Sequence, residues 1–272
     1  MRTRRTALLA LAAVAGAVVT GSSGAGAAGS PIGIGRMSVV PTIVAAGSTN
    51  EFTFTFLADR SPLRGTTIVD FPSGWTAPQR ANPSAPGYIE LKPGTCAAST
   101  RIVSLRSRRL TVTTSCGLRR SYELVYHAAT APTISADGYI FLAQTRSAAA
   151  GRKAKYRPLG RRKQPIVKVR GAAPASLFVG ESSVVTAGTT FGVTVRAVDA
   201  YGNNAYPYTG TVSLTTTDPQ GSLPGPYAFV PTDGAQHVFT PTVLRTPGTQ
   251  VITATDTTGL TGQSAPITVL PG

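Results

Sequence analysis

Acidic residues, cysteine, histidine and tryptophan are all scarce in this sequence. The 272 residues include 11 Asp or Glu, 2 Cys, 2 His and 1 Trp. His127 and His237 are far apart, and neither belongs to an H-E-x-x-H, G-x-S-x-G or Cys-His zinc pattern. We therefore expect no enzyme, no metal site and no cofactor. A Ser-His-Asp set or a carboxylate pair assembled from distant positions is the alternative.

Long hydrophobic runs are also missing, apart from one near the N-terminus. Three of the first five residues are arginines, an apolar run from Ala7 to Val19 follows, and small residues come next at 25–27. This order is typical of a secretory signal peptide, and a run of about 13 residues is too short to span a bilayer comfortably. We expect residues 1–28 to be cleaved and the mature chain to be secreted without a transmembrane segment.

Helical periodicity is almost absent from the rest of the chain. Apolar and polar side chains alternate instead, as in residues 51–56 and 191–196, and Gly, Pro, Asn and Asp separate the alternating runs. A sheet that is apolar on one face must bury that face against another sheet. The pattern therefore predicts an all-β chain of two tandem, immunoglobulin-like β-sandwich modules after the signal peptide.

The two cysteines predict one structural feature. An even count in an exported chain indicates a disulfide, here between Cys96 and Cys116. The segment between them alternates like a hairpin, with its turn expected at 105–107. Pairing positions whose numbers sum to 212 would place Ile102 opposite Leu110 and Cys96 opposite Cys116. Since alternation puts both cysteines on the apolar face, we expect a buried bridge.

The charge is uneven along the chain and indicates where the modules divide. Residues 31–170 carry 21 Lys and Arg against 6 acids, a net of +15, whereas residues 171–272 carry 2 against 5, a net of −3. A weak internal repeat supports the division, because V-A-A-G-S-T at 44–49 is similar to V-T-A-G-T-T at 185–190. We expect one basic module at 31–170 and a second module at 171–272.

The second module resembles a known family. Its run A-G-T-T-F-G-V-T-V-R-A-V-D-A-Y-G-N at 187–203 is followed in order by Y-T-G-T-V-S-L, D-G-A-Q-H-V-F and P-G-T-Q-V-I-T-A-T-D-T. These motifs resemble bacterial Ig-like domains of the invasin and intimin type over residues 171–272. The resemblance implies a secreted or cell-surface protein that serves as a stalk or adhesin segment. The first module, with A-G-S-T-N, F-P-S-G-W and Y-E-L-V-Y, is more loosely similar to β-sandwich domains that precede such repeats in exported bacterial proteins.

Residues 152–163 form the strongest candidate interaction site in the sequence. Seven of these residues are cationic and none is acidic: Arg152, Lys153, Lys155, Arg157, Arg161, Arg162 and Lys163. We predict a long loop between strands at 139–145 and 164–169, whose charge attracts polyanions with salt-sensitive affinity. Nucleic acid does not fit an exported chain, so an anionic wall polymer or acidic glycan of the cell envelope is the expected partner. The alternative is a solvated loop without a ligand.

Further arginines lie on and after the cysteine hairpin. They would extend the basic surface if they share its side of the module: Arg101, Arg106, Arg108, Arg109, Arg119 and Arg120. Whether they do so depends on strand pairing.

The segment that follows the strand at 191–199 is rich in Asp, Asn and Gly. Asp199, Asn203 and Asn204, together with Asp218, could supply oxygen ligands to calcium. Asx residues next to Gly also satisfy the backbone of a tight turn on their own, and we favour that interpretation.

Aromatic residues raise a similar choice between a site and packing. A sugar-stacking platform could be built from Tyr201, Tyr206, Tyr208 and Tyr227, or could include Trp75. Aromatic residues at the ends of a sandwich more often cover the core, and we favour packing.

Together these features predict a secreted, non-enzymatic, cell-surface immunoglobulin-like protein that acts in adhesion or as a spacer and binds an anionic polymer or glycan through its basic loop. The alternative is a carbohydrate-binding or accessory module of an extracellular hydrolase system. The first interpretation predicts salt-sensitive binding, and the alternative predicts salt-insensitive binding to neutral glycans.

Overall fold

Strands are the dominant element of the computed structural model, which describes residues 32–151 and 153–272. The signal peptide predicted for residues 1–28 lies outside the described residues. Three short 3-10 helices are described, at Ala148–Ala150, Arg161–Lys163 and Pro231–Asp233. In the described ranges no helix has the length and apolar character needed to cross a membrane.

Strands β1 to β12 belong to the first half of the chain. In order they are β1 Arg36–Val40, β2 Ile43–Ala45, β3 Thr49–Leu57, β4 Leu63–Asp70, β5 Ile89–Lys92, β6 Arg101–Arg106, β7 Arg109–Cys116, β8 Ser121–Thr130, β9 Ala136–Ile140, β10 Leu142–Ser147, β11 Arg157–Pro158 and β12 Ile166–Arg170. They form sheets with the strand orders β1-β3-β8-β5, β11-β10-β4-β7-β6 and β2-β12-β9. We call the second of these the five-stranded sheet.

Alternating residues of all three sheets meet in one hydrophobic core. In β3 the rings of Phe52, Phe54 and Phe56 are fully buried, while the threonines between them are partly exposed. Trp75 is 3% exposed, and its ring packs edge-on against Phe52, with 5.2 Å between centroids. Large aromatic rings of this kind dominate the energetics of a core. Trp75 is therefore a packing residue, as the favoured interpretation predicts.

The cysteine hairpin forms with a different register from the predicted one. Ile102 lies opposite Val112 and not opposite Leu110, and the two-residue turn falls at 107–108. The ladder is irregular just after Ile102, where the extra residue Val103 is 50% exposed. Counting positions across a hairpin assumes a regular ladder, and a bulge of this kind breaks that assumption.

The predicted disulfide between Cys96 and Cys116 is present. Cys116 ends β7 on the buried face that also holds Leu110 and Val112, whereas Cys96 lies in the loop before β6 and outside the hairpin strands. Both cysteines are buried and belong to the first core. The bridge thus ties this loop to the core side of the five-stranded sheet.

Strands β13 to β22 belong to the second half of the chain. In order they are β13 Ser176–Gly180, β14 Val184–Thr186, β15 Thr190–Val198, β16 Thr211–Thr216, β17 Tyr227–Ala228, β18 Gln236–Val243, β19 Gly248–Gln250, β20 Ile252–Asp256, β21 Thr261–Gln263 and β22 Ile267–Leu270. They form sheets with the orders β13-β15-β18, β14-β22-β19 and β17-β16-β20-β21. Inward residues such as Val193, Val195 and Phe239 build a second core.

The two halves repeat one arrangement. The edge strands β2 and β14 each pair in parallel with the last strand of their own half, β12 and β22. A hydroxyl side chain closes the next turn in both, since Ser48 Oγ donates to the Ala45 carbonyl at 2.7 Å and Thr189 Oγ1 donates to the Thr186 carbonyl at 2.6 Å. The weak sequence repeat therefore marks a structural repeat.

The predicted fold class is confirmed, since the described chain is all-β and its sheets form immunoglobulin-like β-sandwiches. One core draws on side chains from Met37 to Val169, and the other on side chains from Leu177 to Val269. Both cores lie within one compact unit, Ile32–Gly272. The module boundaries at 31–170 and 171–272 stay a prediction.

Candidate functional site

The basic segment 152–163, predicted as a long loop, contains two short regular elements in its described residues, 153–163. Two of its residues form β11, which pairs with the edge of β10, and the 3-10 helix Arg161–Lys163 follows. Between these elements Leu159 is buried in the first core. An apolar side chain inside a polar segment anchors that segment, and the alternation rules used for strands do not reveal it.

Gln164 fixes the end of the segment. Its side-chain amide accepts a hydrogen bond from the Ala143 N–H at 2.7 Å and donates to the Ala143 carbonyl at 3.0 Å. The same amide donates to the Leu159 carbonyl at 2.9 Å. These side-chain bonds take the place of backbone hydrogen bonds between paired strands. They attach residues 157–164 to β10.

The predicted cations of the segment have different surroundings. Lys153, Lys155, Arg157, Arg161 and Arg162 are exposed, and Arg152 lies outside the described residues. Exposure leaves these ammonium and guanidinium groups open to an anionic ligand.

Lys163 differs from the other cations of the segment, because its Nζ lies 2.8 Å from Asp59 Oδ2 in a partly buried ion pair. Burial opposes the charge on Asp59, but the hydrogen bond and the positive charge of Lys163 outweigh it and lower the pKa of that carboxyl. Lys163 therefore serves the structure more than a ligand.

The outward side of the five-stranded sheet carries five of the 14 cations that residues 31–170 hold outside the basic segment. Strand pairing places five arginines on this side, which we call the basic face: Arg64, Arg101, Arg106, Arg109 and Arg146. One acid lies among them, Asp70, and Arg109 holds it through two hydrogen bonds of 2.6 and 2.9 Å. Between the arginines the described side chains are mainly threonine and serine.

The basic segment borders this face along β10. Arg146 lies over the ring of Tyr156, with 4.4 Å from the guanidinium carbon to the ring centroid. Lys153 and Lys155 immediately precede that tyrosine. Arg157 pairs with Thr145, whose side chain is buried, and therefore projects to the other side of the sheet.

Of the arginines proposed to extend the surface, three do so. Arg101, Arg106 and Arg109 belong to the basic face, whereas Arg108 donates to the carbonyls of Pro72 and Trp75 and so holds the 72–76 turn against the hairpin. The other two, Arg119 and Arg120, lie on the turn between β7 and β8.

The opposite sheet of the same sandwich holds acids. Glu51, Glu90 and Glu123 are on the outward side of β3, β5 and β8, next to Arg36 and Lys92. These three are half of the six acids of residues 31–170. Among these strand residues, five arginines face one acid on the outward side of the five-stranded sheet, whereas two cations face three acids on the outward side of the opposite sheet.

The histidines take part in local contacts of the two halves. His127 lies between two carboxylates, with Nδ1 2.8 Å from Glu51 and Nε2 3.2 Å from Glu90. His237 stacks on Tyr227, with 3.4 Å between ring centroids. The two histidines belong to different sandwiches.

The segment after β15 forms the junction between the two halves. Asp199 is 3% exposed, and its carboxylate accepts hydrogen bonds from the backbone N–H groups of Ala172, Tyr201 and Asn203 at 2.8 to 2.9 Å. Burial alone would raise the pKa of Asp199, but these bonds and one from the Asn203 side chain lower it. The carboxylate thus accepts hydrogen bonds from the backbone of its own turn and from Ala172 in the linker before β13, as expected for an Asx residue in a turn.

Asn203 connects the junction to residues of the first half through hydrogen bonds. Its side chain donates to the Thr133 carbonyl at 2.8 Å and accepts from the Ser135 N–H at 2.8 Å. Tyr201 lies with its hydroxyl against Gly47. The sequence indicated a turn here but not that the turn joins the two sandwiches, because its partners are distant in sequence.

Asn204 and Asp218 complete the set considered for calcium, and both have structural partners. Asn204 Nδ2 donates to the Gly234 carbonyl at 3.1 Å. The Asp218 carboxylate accepts from the N–H groups of Gln220, Arg245 and Thr246, and it is 4% exposed. Burial opposes its charge, but these bonds and the Thr246 hydroxyl lower the pKa of Asp218 to about 2. Each residue therefore fastens a loop of the second sandwich.

The four tyrosines do not form one exposed platform. Tyr208 is 5% exposed and donates to Asp256 at 3.0 Å, and Tyr227 stacks on a histidine. Tyr201 and Tyr206 are exposed, and the guanidinium of Arg170 lies 4.1 Å above the ring of Tyr206. Packing in the second sandwich accounts for Tyr208 and Tyr227.

Comparisons with known proteins add little to this geometry. No family model and no curated protein matches the chain. Among solved structures, the β-glucuronidase of Parabacteroides merdae overlaps with 86% of this chain and 25% of its own, at 10% identity and a TM-score of 0.29. The chain thus spans about a quarter of that enzyme.

Two further overlaps are similar in kind. The type II cohesin dyad of the adaptor scaffoldin ScaA of Acetivibrio cellulolyticus has 9% identity and a TM-score of 0.32, covering 88% of this chain and 97% of its own. A four-domain ectodomain fragment of ICAM-5 has 14% identity and a TM-score of 0.29, covering 87% and 51%. Scores this low carry no argument about activity or ligand, and the fold rests on the strands and cores described above.

Proposed function

We propose that this chain is an exported, non-enzymatic bacterial protein of the invasin-like immunoglobulin type, and that it binds an anionic polymer or glycan of the cell envelope through its basic face. The second sandwich would serve as the spacer or adhesin segment. The observation that carries the proposal is the separation of charge across the first sandwich, with five arginines on one outward face and three glutamates on the other.

Charge of one sign on a broad, flat face suits a polymer better than a small ligand. Exposed arginines on neighbouring strands create a positive potential over the whole face, and this potential attracts a chain with repeated negative groups. The hydroxyl side chains between the arginines keep the face wettable and free of a large apolar patch. The disulfide agrees with an extracellular setting, where such bridges persist.

The alternative of a neutral carbohydrate-binding module has less support. Such a module would present a group of open aromatic rings to the sugar. Trp75 and Tyr208 are buried in the two cores, and of the exposed tyrosines Tyr201 lies against Gly47 and Tyr206 lies under the guanidinium of Arg170. We therefore retain the electrostatic proposal alone.

The first test removes charge from the basic face. The triple variant Arg64→Gln, Arg101→Gln and Arg106→Gln takes away three exposed cations that have outward positions on the face. We expect retention on purified envelope fractions at low salt to fall about tenfold or more, because each lost cation weakens the same attractive field.

The matched control removes the same charge elsewhere. Arg36→Gln, Lys92→Gln and Arg245→Gln remove three exposed cations from the opposite sheet and from the second sandwich. We expect this variant to keep most of the retention. Equal loss in both variants would show that net charge, and not the basic face, determines binding, and unchanged retention in the first variant would refute the proposal.

A further inference from the structure

A polar cavity of about 480 Å³ opens at the basic face beside the 3-10 helix Ala148–Ala150. Its lining residues come from β4, β7, β10 and the 3-10 helix with the glycine that follows it: Gly65, Thr66, Thr113, Arg146, Ala148 and Gly151. Two hydroxyl groups and one guanidinium thus border a space large enough for a sugar residue.

Gly65 is required for the close approach of strands at this cavity. A Cβ atom at this position would lie 2.1 Å from the carbonyl oxygen of Arg146. Thr113 Oγ1 donates to the Gly65 carbonyl at 3.2 Å, so β7 is also drawn to this point. The pairing of β4 with β10 and with β7 therefore bounds the cavity on two sides.

The cavity lies within a row of side chains that crosses four strands. Arg101 pairs with Thr113, Thr113 pairs with Thr66, and Thr66 pairs with Arg146. Directly paired residues project to the same side of a sheet. Because neighbouring strands are about 4.8 Å apart, the Cα atoms of the two arginines are separated by about 14 Å, with the two threonines between them.

We propose that this row is a binding subsite for an acidic polysaccharide that lies across the strands. Carboxylate groups of the polymer would contact Arg101 and Arg146, and sugar hydroxyls would bond to Thr66 and Thr113. This inference rests on the proposed function and names the polymer class that the basic face takes.

The hydroxyl groups of the row favour a polysaccharide over a polyphosphate. The Thr113 hydroxyl donates its hydrogen to the Gly65 carbonyl, so it can only accept a hydrogen bond from a ligand. A polyphosphate has no donor along its chain, whereas an acidic polysaccharide carries sugar hydroxyls that donate as well as accept. Sugar hydroxyls therefore fit both threonines between the two arginines.

The test compares two probes, alginate oligosaccharides and inorganic polyphosphate of equal charge number. The variant Thr66→Val with Thr113→Val removes both hydroxyls, keeps the β-branched shape that suits a strand, and leaves the net charge unchanged. We expect affinity for alginate to fall about tenfold, about threefold for each hydrogen bond lost, and affinity for polyphosphate to fall about threefold at most, because only Thr66 can donate to a phosphate oxygen.

Two control variants accompany the double valine variant. Thr53→Val with Thr55→Val makes the same exchange on the outward face of β3, on the opposite sheet, and should leave both affinities unchanged. Thr66→Ser with Thr113→Ser keeps the hydroxyls and should retain alginate binding. Because the Thr113 hydroxyl also bonds to a backbone carbonyl, the single variant Thr66→Val is the fallback if the double variant does not fold, with an expected threefold loss.

The outcomes separate this inference from the proposed function. If the wild-type chain binds alginate and the valine variant binds it equally well, the row is not the subsite and the inference is overturned, while the basic face still stands. Tighter wild-type binding to polyphosphate than to alginate would overturn the polymer class. If the wild-type chain binds neither probe at low salt, both proposals fail.

Discussion

Asp218 provides the most quantitative prediction about stability. Its carboxylate is buried and accepts hydrogen bonds from three backbone N–H groups and the Thr246 hydroxyl, so the charged form is favoured in the folded state. These bonds lower the pKa of Asp218 from its ordinary value of 3.8 to about 2. At about 1.4 kcal/mol per pKa unit, ionised Asp218 stabilises the fold by about 2 kcal/mol.

The direction of the pH dependence follows from the lowered pKa. Because the unfolded chain binds the proton more tightly than the folded chain, the contribution is complete above about pH 4, falls as the pH is lowered, and is absent below about pH 2. Asp218→Asn should therefore reduce the free energy of unfolding by about 2 kcal/mol at pH 7 and flatten the stability curve between pH 4 and pH 2.

Urea unfolding at a series of pH values measures this effect. Circular dichroism follows both sandwiches, and Trp75, the single tryptophan, reports on the first core. Because the junction couples the two sandwiches, we expect Asp218→Asn to shift the circular dichroism and fluorescence transitions together. Glu123→Gln, which removes a carboxylate from the outward face of the first sandwich, is the control. A wild-type stability that is constant from pH 4 to pH 2, or an equal slope in Asp218→Asn, would refute the reasoning.

Other predictions concern the first core and the junction. Trp75→Ala should cost about 3 to 5 kcal/mol in chemical unfolding followed by circular dichroism, because a large ring leaves the core, and a loss under 1 kcal/mol would contradict its packing role. Replacing Cys96 and Cys116 by Ser should cost about 3 kcal/mol, and unchanged stability under reducing conditions would count against a structural bridge. Asn203→Ala should cost about 1 to 2 kcal/mol and separate the unfolding of the two sandwiches in calorimetry, while a single transition like that of the wild type would show that Asn203 does not couple them.

Local patterns in the sequence were enough to predict the strands and their buried faces. The alternation in β3 and β7 predicts that Phe52, Phe54 and Leu110 point inward, and they do. Turn chemistry likewise predicted a structural role for Asp199, because an Asx residue near Gly bonds to its own backbone. Such features depend on neighbours within a few residues.

Features that depend on distant partners were not predictable in the same way. The irregularity after Ile102 changed the hairpin register without a Gly or Pro to mark it. Leu159 and Gln164 attach the basic segment to β10 through contacts that the composition of the segment hides. The basic face itself brings Arg101 and Arg146 to one side of a sheet only through the pairing of four strands.

The salt dependence of binding tests the central claim most directly. We would measure the affinity of the chain for an acidic polysaccharide at increasing sodium chloride, alongside the triple variant Arg64→Gln, Arg101→Gln and Arg106→Gln. If the basic face captures the polymer, the wild-type affinity falls steeply with salt and the variant shows a weaker affinity with a shallower slope. A wild-type affinity that does not change with salt, or a variant with the same slope as the wild type, would contradict the account.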